Sequence, residues 1–236
     1  MPAVAIYRNV YRIGGRDLTY IYDSNIYLVR INDSNYVLVD VGTGRGLLNL
    51  ISNMLEIGIS PYNIRYVFLT HAHYHAAGSL WWFSRTKALS VAHEPDASFI
   101  RSGDKIYTGA EEFEDSFIPA PISINIGHGV REYKIIINDS TIRIFHTPGH
   151  TKGSISILIE HKQNNDNILF VGDSLSGILS NKWLSSETEF EETVNKIRRV
   201  ISDNSIKILC TSIECYRGAN IGKFLEYVMN KKPLWV

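Results

Sequence analysis

The residues best suited to chemistry in this sequence are three histidines that follow a predicted strand. His71, His73 and His75 occupy alternate positions directly after the apolar segment Arg65–Leu69. Histidines two positions apart at a strand end can turn toward one point, and neutral imidazole is the commonest metal ligand at physiological pH. A histidine-rich surface loop is the alternative reading, but three alternating histidines after a buried strand favour a metal site.

Other polar residues follow predicted strands in the same way. His150 comes after a Thr-Pro-Gly turn that ends the segment Thr141–Phe145, and Pro and Gly hold such a turn in one shape. Asp173 follows Ile168–Val171, where a buried carboxylate is unfavourable unless it is paired or bound to metal. Asp40 also ends an apolar run. Each of these residues alone is equally explained by an ordinary turn or helix cap.

Hairpins and helices must bring these strand ends together. Apolar segments rich in β-branched residues flank polar turns and predict three hairpins. They are Ile26–Ile31 with Tyr36–Val41 around Asn32–Asn35, Tyr133–Ile137 with Thr141–Phe145, and Ser154–Ile159 with Ile168–Val171 across the polar run His161–Asn167. Helices are predicted over Gly46–Ile57, Ser185–Asp203 and Gly218–Asn230.

Two of these helices have a predicted apolar face. The first carries one on its residues Leu47, Leu48, Ile51 and Leu55. The second begins with Ser186 and Glu189 at the spacing of a capping box, and its apolar stripe is Phe190, Val194, Ile197 and Ile201. Hairpins with interspersed helices indicate an antiparallel or mixed sheet with helices packed outside.

Composition narrows the class of protein. The 236 residues are 44% hydrophobic, enough for a large core, and no linker divides them, so we expect one domain over residues 1–236. The 24 basic and 24 acidic side chains balance, which argues against nucleic acid and membrane partners and favours a small-molecule substrate. The sequence is also compatible with a homo-oligomer. Two cysteines are too few for a disulfide framework, and no leader or membrane span is recognisable, so we expect a cytoplasmic protein.

Four strings of the sequence, in this order and at this spacing, resemble the metallo-β-lactamase superfamily. They are Leu-Val-Asp-Val-Gly-Thr-Gly with Asp40, Thr-His-Ala-His with His71 and His73, His-Thr-Pro-Gly-His-Thr-Lys-Gly-Ser with His150, and Phe-Val-Gly-Asp-Ser-Leu with Asp173. The resemblance spans residues 25–212. It implies an α/β (α+β) fold, an αβ/βα four-layer sandwich of two mixed β-sheets flanked by helices, with metals at one edge.

The resemblance also implies a first metal site. Its ligands would be His71, His73, His150 and Asp173, and Asp40 would support the site from behind. Three neutral imidazoles suit Zn²⁺, with a position left for water. Fe²⁺ is the alternative metal.

The second metal site of the family is where this sequence departs from the pattern. That site normally uses the Asp and last His of a His-x-His-x-Asp-His motif, which here reads His-Ala-His-Tyr-His-Ala, so the Asp is missing and His75 takes its place or that of the last His. The usual C-terminal His is also missing, and Glu214 or Cys215 are candidate substitutes. We therefore expect one tightly held metal, with His75 as an extra ligand, a general base or a polar rim residue.

The resemblance leads to three candidate functions. The first is a metal-dependent hydrolase that uses a metal-activated water on a small ester, thioester or lactone, with Asp173 and His75 handling the proton. The second is a mononuclear non-haem iron enzyme like the sulfur dioxygenases, with iron held by His71, His150 and Asp173. The third is a degenerate, non-catalytic relative that binds metal for stability or senses a ligand.

Two further features have two interpretations each. Tyr74, Trp81 and Trp82 follow the histidine loop and either line a substrate wall or pack in the core. The long connection Gly103–Val130 is either a lid over the site or a segment packed against the sheet edge.

Overall fold

Two mixed β-sheets form the frame of the protein in a computed structural model that describes residues 3–33, 35–161 and 167–236. The first sheet has seven strands in chain order: β1 Val4–Tyr7, β2 Val10–Gly14, β3 Ile26–Asn32, β4 Asn35–Val39, β5 Ile64–Phe68, β6 Leu89–His93 and β7 Ile124–Ile126. The second has six, in the order β14 Cys215–Arg217, β13 Ile206–Thr211, β11 Asn167–Gly172, β10 Ile155–His161, β9 Ser140–His146 and β8 Glu132–Ile137. A small third sheet pairs β12 Ile178–Leu179 with β15 Leu234–Trp235.

The direction of the strands delivers polar loops to one edge of the frame. In the first sheet β1 to β4 are antiparallel neighbours, whereas β4, β5, β6 and β7 pair in parallel. In the second sheet β11 and β13 are parallel and the other pairs are antiparallel. Because β4 and β5 run in the same direction, Asp40 and the histidine loop that begins at Thr70 leave the sheet at the same edge.

Short helices cover the first sheet and two longer ones cover the second. The helices are α1 Leu47–Glu56, α2 Tyr74–Ala77, α3 Leu80–Phe83, α4 Asp96–Ser102, α5 Glu187–Asp203 and α6 Ala219–Asn230. Single 3₁₀ turns occupy Pro61–Asn63, Ala110–Phe113 and Asn181–Trp183. Within the described part of the chain, no helix is both long enough and apolar enough to cross a bilayer.

Alternation of side chains along the strands divides the apolar interior into three cores. Tyr27 and Val29 of β3 point between the two sheets, while Ile26 and Leu28 of the same strand point toward the helices outside the first sheet. A third core lies behind the second sheet and includes Phe190, Val194 and Ile197 of α5 with Ile221 and Leu225 of α6. Helix, sheet, sheet and helix therefore stack in four layers, which confirms the predicted sandwich.

The helix predictions were confirmed in position and partly wrong in detail. Ser186 caps α5 by accepting a hydrogen bond from the backbone N–H of Glu189, 3.3 Å away, as the capping box predicted. In α1 the predicted face is partly wrong, because Leu47 packs partly against the core but Leu48 and Leu55 are 81% and 56% exposed, and the helix buries Leu50 and Met54. Both sets fit the same helical period, and only packing against β2 selects one of them.

The remaining predictions concern connections. The strands of all three predicted hairpins are present, while Ser34 and the turn residues 162–166 lie outside the described residues. Tyr74 is buried in the core behind the first sheet, and Trp81 and Trp82 pack partly against it, so the core interpretation holds for these aromatic residues. Gly103–Val130 supplies edge strand β7.

Candidate metal centre

Loops after three strands converge at one edge of the sandwich. His71 and His73 follow β5, His150 lies in the turn between β9 and β10, and Asp173 follows β11. One ligand atom from each of these four residues lies within 4.8 Å of the others, and they form the one such cluster of metal-binding side chains within residues 3–33, 35–161 and 167–236. The structure therefore brings together the four residues that the resemblance implied.

The donor atoms point inward at short range. His150 Nε2 lies 3.0 Å from His73 Nδ1, and Asp173 Oδ2 lies 3.5 Å from His71 Nε2 and 3.7 Å from His150 Nε2. Burial lowers the pKa of all three imidazoles, which keeps them in the neutral form that metals bind.

His71 is oriented from behind by a chain of hydrogen bonds. The Thr70 hydroxyl lies 2.9 Å from His71 Nδ1 and donates to Asp40 Oδ2 at 2.9 Å, while the Thr70 backbone N–H donates to Asp40 Oδ1 at 2.8 Å. Because the hydroxyl proton goes to Asp40, His71 must donate from Nδ1, and its Nε2 lone pair faces the cluster. Burial raises the pKa of Asp40 to about 7. Asp40 thus has the supporting position that the resemblance implied.

His150 is held by its turn and by the segment around β12. Its Nδ1 donates to the Ile178 carbonyl oxygen at 2.7 Å, and its own carbonyl oxygen accepts from the Ser185 hydroxyl. Gly149 has φ of +132°, and a Cβ there would lie 2.5 Å from Phe190 Cα, so only glycine lets the turn sit on the start of α5. The Nε2 lone pair of His150 therefore faces the cluster as well.

This donor set fits a metal ion. Nδ1 of His71 and Nδ1 of His150 both donate hydrogen bonds elsewhere, so unprotonated nitrogens converge on Asp173. Lone pairs held this close repel one another unless a cation or a proton lies between them. Three imidazole nitrogens and one carboxylate oxygen are ligands that Zn²⁺ takes in proteins.

The comparison with known proteins identifies the family. A model of the metallo-β-lactamase superfamily matches residues 19–195. The chain belongs to this superfamily. It is 27% identical over 192 residues to a probable metallo-hydrolase of Methanocaldococcus jannaschii, covering 79% of this chain and 85% of that protein.

Two further comparisons, one by sequence and one by structure, show how similar the chain is to known proteins. The chain is 24% identical over 190 residues to an N-acyl homoserine lactonase of Bacillus sp, covering 76% of this chain and 67% of that one. A solved B3 metallo-β-lactamase with an active-site glutamic acid superposes with a TM-score of 0.72 over 97% of this chain and 88% of that chain, at 17% identity, which shows a shared fold.

Against the superfamily pattern, the side of Asp173 that faces His75 is unusual. His75 Nε2 lies 2.9 Å from Asp173 Oδ2 and 3.2 Å from His71 Nε2. Burial alone would raise the pKa of Asp173, but the hydrogen bond from His75 and the neighbouring imidazoles lower it well below its ordinary value. Burial likewise favours neutral His75, yet Asp173 raises the pKa of His75. His75 Nε2 therefore contacts ligand atoms of both Asp173 and His71, and its role as an extra ligand or a general base stays a prediction.

Ser212 completes this side of the site. It lies directly after β13, where the resemblance implied a histidine, and its hydroxyl donates to Asp173 Oδ1. The two candidate substitutes stand elsewhere, since Cys215 forms a disulfide with Cys210 across β13 and β14, and Glu214 is exposed. Sequence reasoning missed Ser212 because it searched this loop for metal ligands rather than for a hydrogen-bond donor.

Asp96 was also missed, and it ties two ligand loops together. Its carboxylate accepts hydrogen bonds from the Ala72 backbone N–H at 2.7 Å, the Gly153 backbone N–H at 2.7 Å and the Thr151 hydroxyl at 2.8 Å. Asp96 is 1% exposed at the start of α4. One buried carboxylate therefore links the histidine loop to the turn that carries His150.

Trp183, which the sequence did not single out, is the aromatic residue that packs against the cluster histidines. Its ring centroid lies 4.4 Å from that of His73 and 5.4 Å from that of His150. Its indole N–H has no hydrogen-bond partner among the described residues. In the sequence it is a lone tryptophan between the Asp173 motif and the predicted helix cap at Ser186, and it belongs to neither, so no local signal marks it.

Proposed function

We propose that this protein is a metal-dependent hydrolase with one zinc ion, acting on a small ester, lactone or thioester. The observation that carries the proposal is the buried cluster of His71, His73, His150 and Asp173, in which two imidazoles are oriented from behind. When bound there, zinc would supply Lewis-acid activation of a water molecule and of a substrate carbonyl.

The count of one metal rests on the other side of Asp173. Ser212 donates to Asp173 Oδ1, and His75 is the one imidazole beside the four-residue cluster in the described part of the chain. A second ion would have Asp173 and His75 as ligands and no third protein donor there, which is a weak site.

The chain's own residues would manage the proton. Asp173 Oδ2 and His75 Nε2 share a hydrogen bond of 2.9 Å next to the cluster. Asp173 can hold the attacking water by accepting a hydrogen bond from it, and His75 can take up the proton of that water and deliver it to the leaving group. Trp183 would exclude solvent on the opposite side, beside His73 and His150.

The choice of substrate class draws on the relatives. The chain resembles a lactonase and a probable metallo-hydrolase, both at under 30% identity. A neutral ester or lactone suits a metal centre flanked by an uncharged indole. We propose that the partner is a small-molecule substrate. A panel of esters, lactones and thioesters would identify the class of leaving group that the site accepts.

Metal analysis is the first test, on protein purified without chelator and measured by plasma mass spectrometry. One zinc per chain, with hydrolysis of at least one ester, lactone or thioester in a panel, is the expected result. His150→Ala should lose both metal and hydrolysis, whereas His128→Ala, at an exposed histidine, should keep both.

Three results would contradict the proposal. One iron per chain with dioxygenase activity would favour the oxygenase. Two zinc ions would show that the second site is rebuilt. No metal after reconstitution with zinc or iron would leave a degenerate binding protein.

A further inference from the structure

The last described residues of the chain contact the segment that orients His150. In the pairing of β12 with β15, the backbone N–H of Leu234 donates to Gly177 O at 2.7 Å and that of Val236 donates to Leu179 O at 2.9 Å. Both bonds join β12 to β15, its one neighbour in the described sheets.

The two bonds fix the direction of the peptide between them. Successive carbonyl groups of a strand point to opposite sides, so when Gly177 O and Leu179 O point toward β15, Ile178 O points away from it. On that other side Ile178 O accepts the hydrogen bond from His150 Nδ1 at 2.7 Å. The pairing with β15 therefore sets the direction of the carbonyl that orients a ligand in the cluster.

The same segment meets His150 at two more points. The Ser185 hydroxyl donates to the His150 carbonyl oxygen, and the Trp183 ring packs beside the His150 imidazole. Both residues follow β12 within a few positions, so a shift of β12 would move them too.

We propose that residues 234–236 position the metal ligand His150 through the Ile178 carbonyl. This inference rests on the metal centre of the proposed function. Side chains do not explain the contact, because Leu234, Trp235 and Val236 are 58%, 44% and 65% exposed. The backbone pairing is what would act on the site.

Leu234→Pro tests the proposal because it removes the N–H that donates to Gly177 O. The dissociation constant for Zn²⁺, measured by competition with a chromophoric chelator, should rise about 10-fold, the lower end of what the loss of an outer partner of a ligand costs. Trp235→Ala is the matched control, since it keeps both backbone bonds and should bind Zn²⁺ as the wild type does. Removal of Val236 alone, which deletes only the bond to Leu179 O, should give a smaller loss.

Two further measurements separate positioning from a general loss of stability. In the metal-free protein, the His150 Nδ1 proton resonance should be present in the wild type and shifted or lost by exchange in Leu234→Pro, at a temperature where both are folded. With Co²⁺ in place of Zn²⁺, the ligand-field absorption bands should change in Leu234→Pro and not in Trp235→Ala.

Equal Zn²⁺ affinity in Leu234→Pro and the wild type would overturn the inference, and so would an equal loss in Trp235→Ala. If the wild type itself binds no metal, the proposed function fails instead, and the His150 resonance still tests the positioning.

Discussion

The two sides of Asp173 differ in what they offer a cation. On one side, ligand nitrogens of His71, His73 and His150 converge, and two of the three imidazoles are oriented by hydrogen bonds from behind. On the other side, the Ser212 hydroxyl donates to Asp173 Oδ1, while His75 hydrogen-bonds Oδ2, the oxygen that also faces the cluster. A carboxylate oxygen that already accepts a hydrogen bond from a hydroxyl group has fewer lone pairs available to coordinate a second metal ion.

The difference teaches that the supporting residues distinguish a metal site from a polar network. The His71 side has Asp40 and Thr70 behind its ligand, and Asp96 joins the ligand loops. On the Ser212 side, the Ser212 hydroxyl and the His75 imidazole both make hydrogen bonds to Asp173. These groups therefore have protein partners without a second metal ion.

His150→Ala should produce the largest effect, because it removes one of four donors from the cluster. We expect loss of stoichiometric Zn²⁺, a larger change than the 10- to 100-fold that outer partners cost. The measurement is metal content after gel filtration, with His128→Ala as the control. Retention of one zinc per chain by the His150 variant would contradict the assignment of the cluster.

Thr70→Val should weaken Zn²⁺ binding by about 10- to 100-fold, because it removes the hydroxyl that joins His71 to Asp40 and keeps the side-chain volume. Competition with a chelator measures this change. Thr86→Val, at a hydroxyl that bonds only within its own turn, is the matched control and should leave the affinity unchanged. A Thr70 variant with wild-type affinity would mean that the chain from Asp40 does not orient the ligand.

The metal-binding side of Asp173 could be predicted from the sequence because its residues follow apolar strands. His71, His150 and Asp173 lie within a few residues of the ends of segments whose apolar composition predicts strands, and their motifs resemble a known family. The supporting residues were less visible. Asp40 belongs to a motif, but Asp96 was overlooked, since a single Asp at the start of a helix is common and its three partners are far away in the chain.

Contacts made by backbone atoms or by the shape of a loop were beyond sequence reasoning. The Ile178 carbonyl that orients His150 could belong to any residue type. Ser212 gave no signal because serine is ordinary in a turn, and its role depends on the carboxylate of Asp173, which lies 39 positions away. The face of α1 shows the same limit, since Leu48 and Leu50 both fit a helical stripe and only tertiary packing selects the buried one.

Ser212→His should convert the polar side of Asp173 toward a second metal site. An imidazole at this position would stand beside Asp173 and His75 and supply the third donor that the site lacks. Titration with Zn²⁺ followed by metal analysis should show a second, weaker ion, with a stoichiometry between one and two. Ile213→His, at the exposed neighbouring position, should stay at one. If Ser212→His also stays at one zinc while folded, the missing C-terminal histidine is not what limits the metal count.

Of these variants, Cys215→Ser should have the smallest effect on Zn²⁺ affinity. It tests whether the stability of the loop closed by the disulfide is independent of metal binding at the cluster. The disulfide with Cys210 closes a loop with a sequence separation of 5, and cross-linking so short a loop stabilises a protein by about 2 kcal/mol on the chain-entropy account. We therefore expect a lower free energy of unfolding by denaturant and an unchanged Zn²⁺ affinity, because none of the four cluster residues lies on this loop. The loop does carry Ser212, so a loss of affinity as large as that of Thr70→Val would mean that the hydroxyl on Asp173 Oδ1 also positions the ligand, and the two sides of the carboxylate would then be parts of one site.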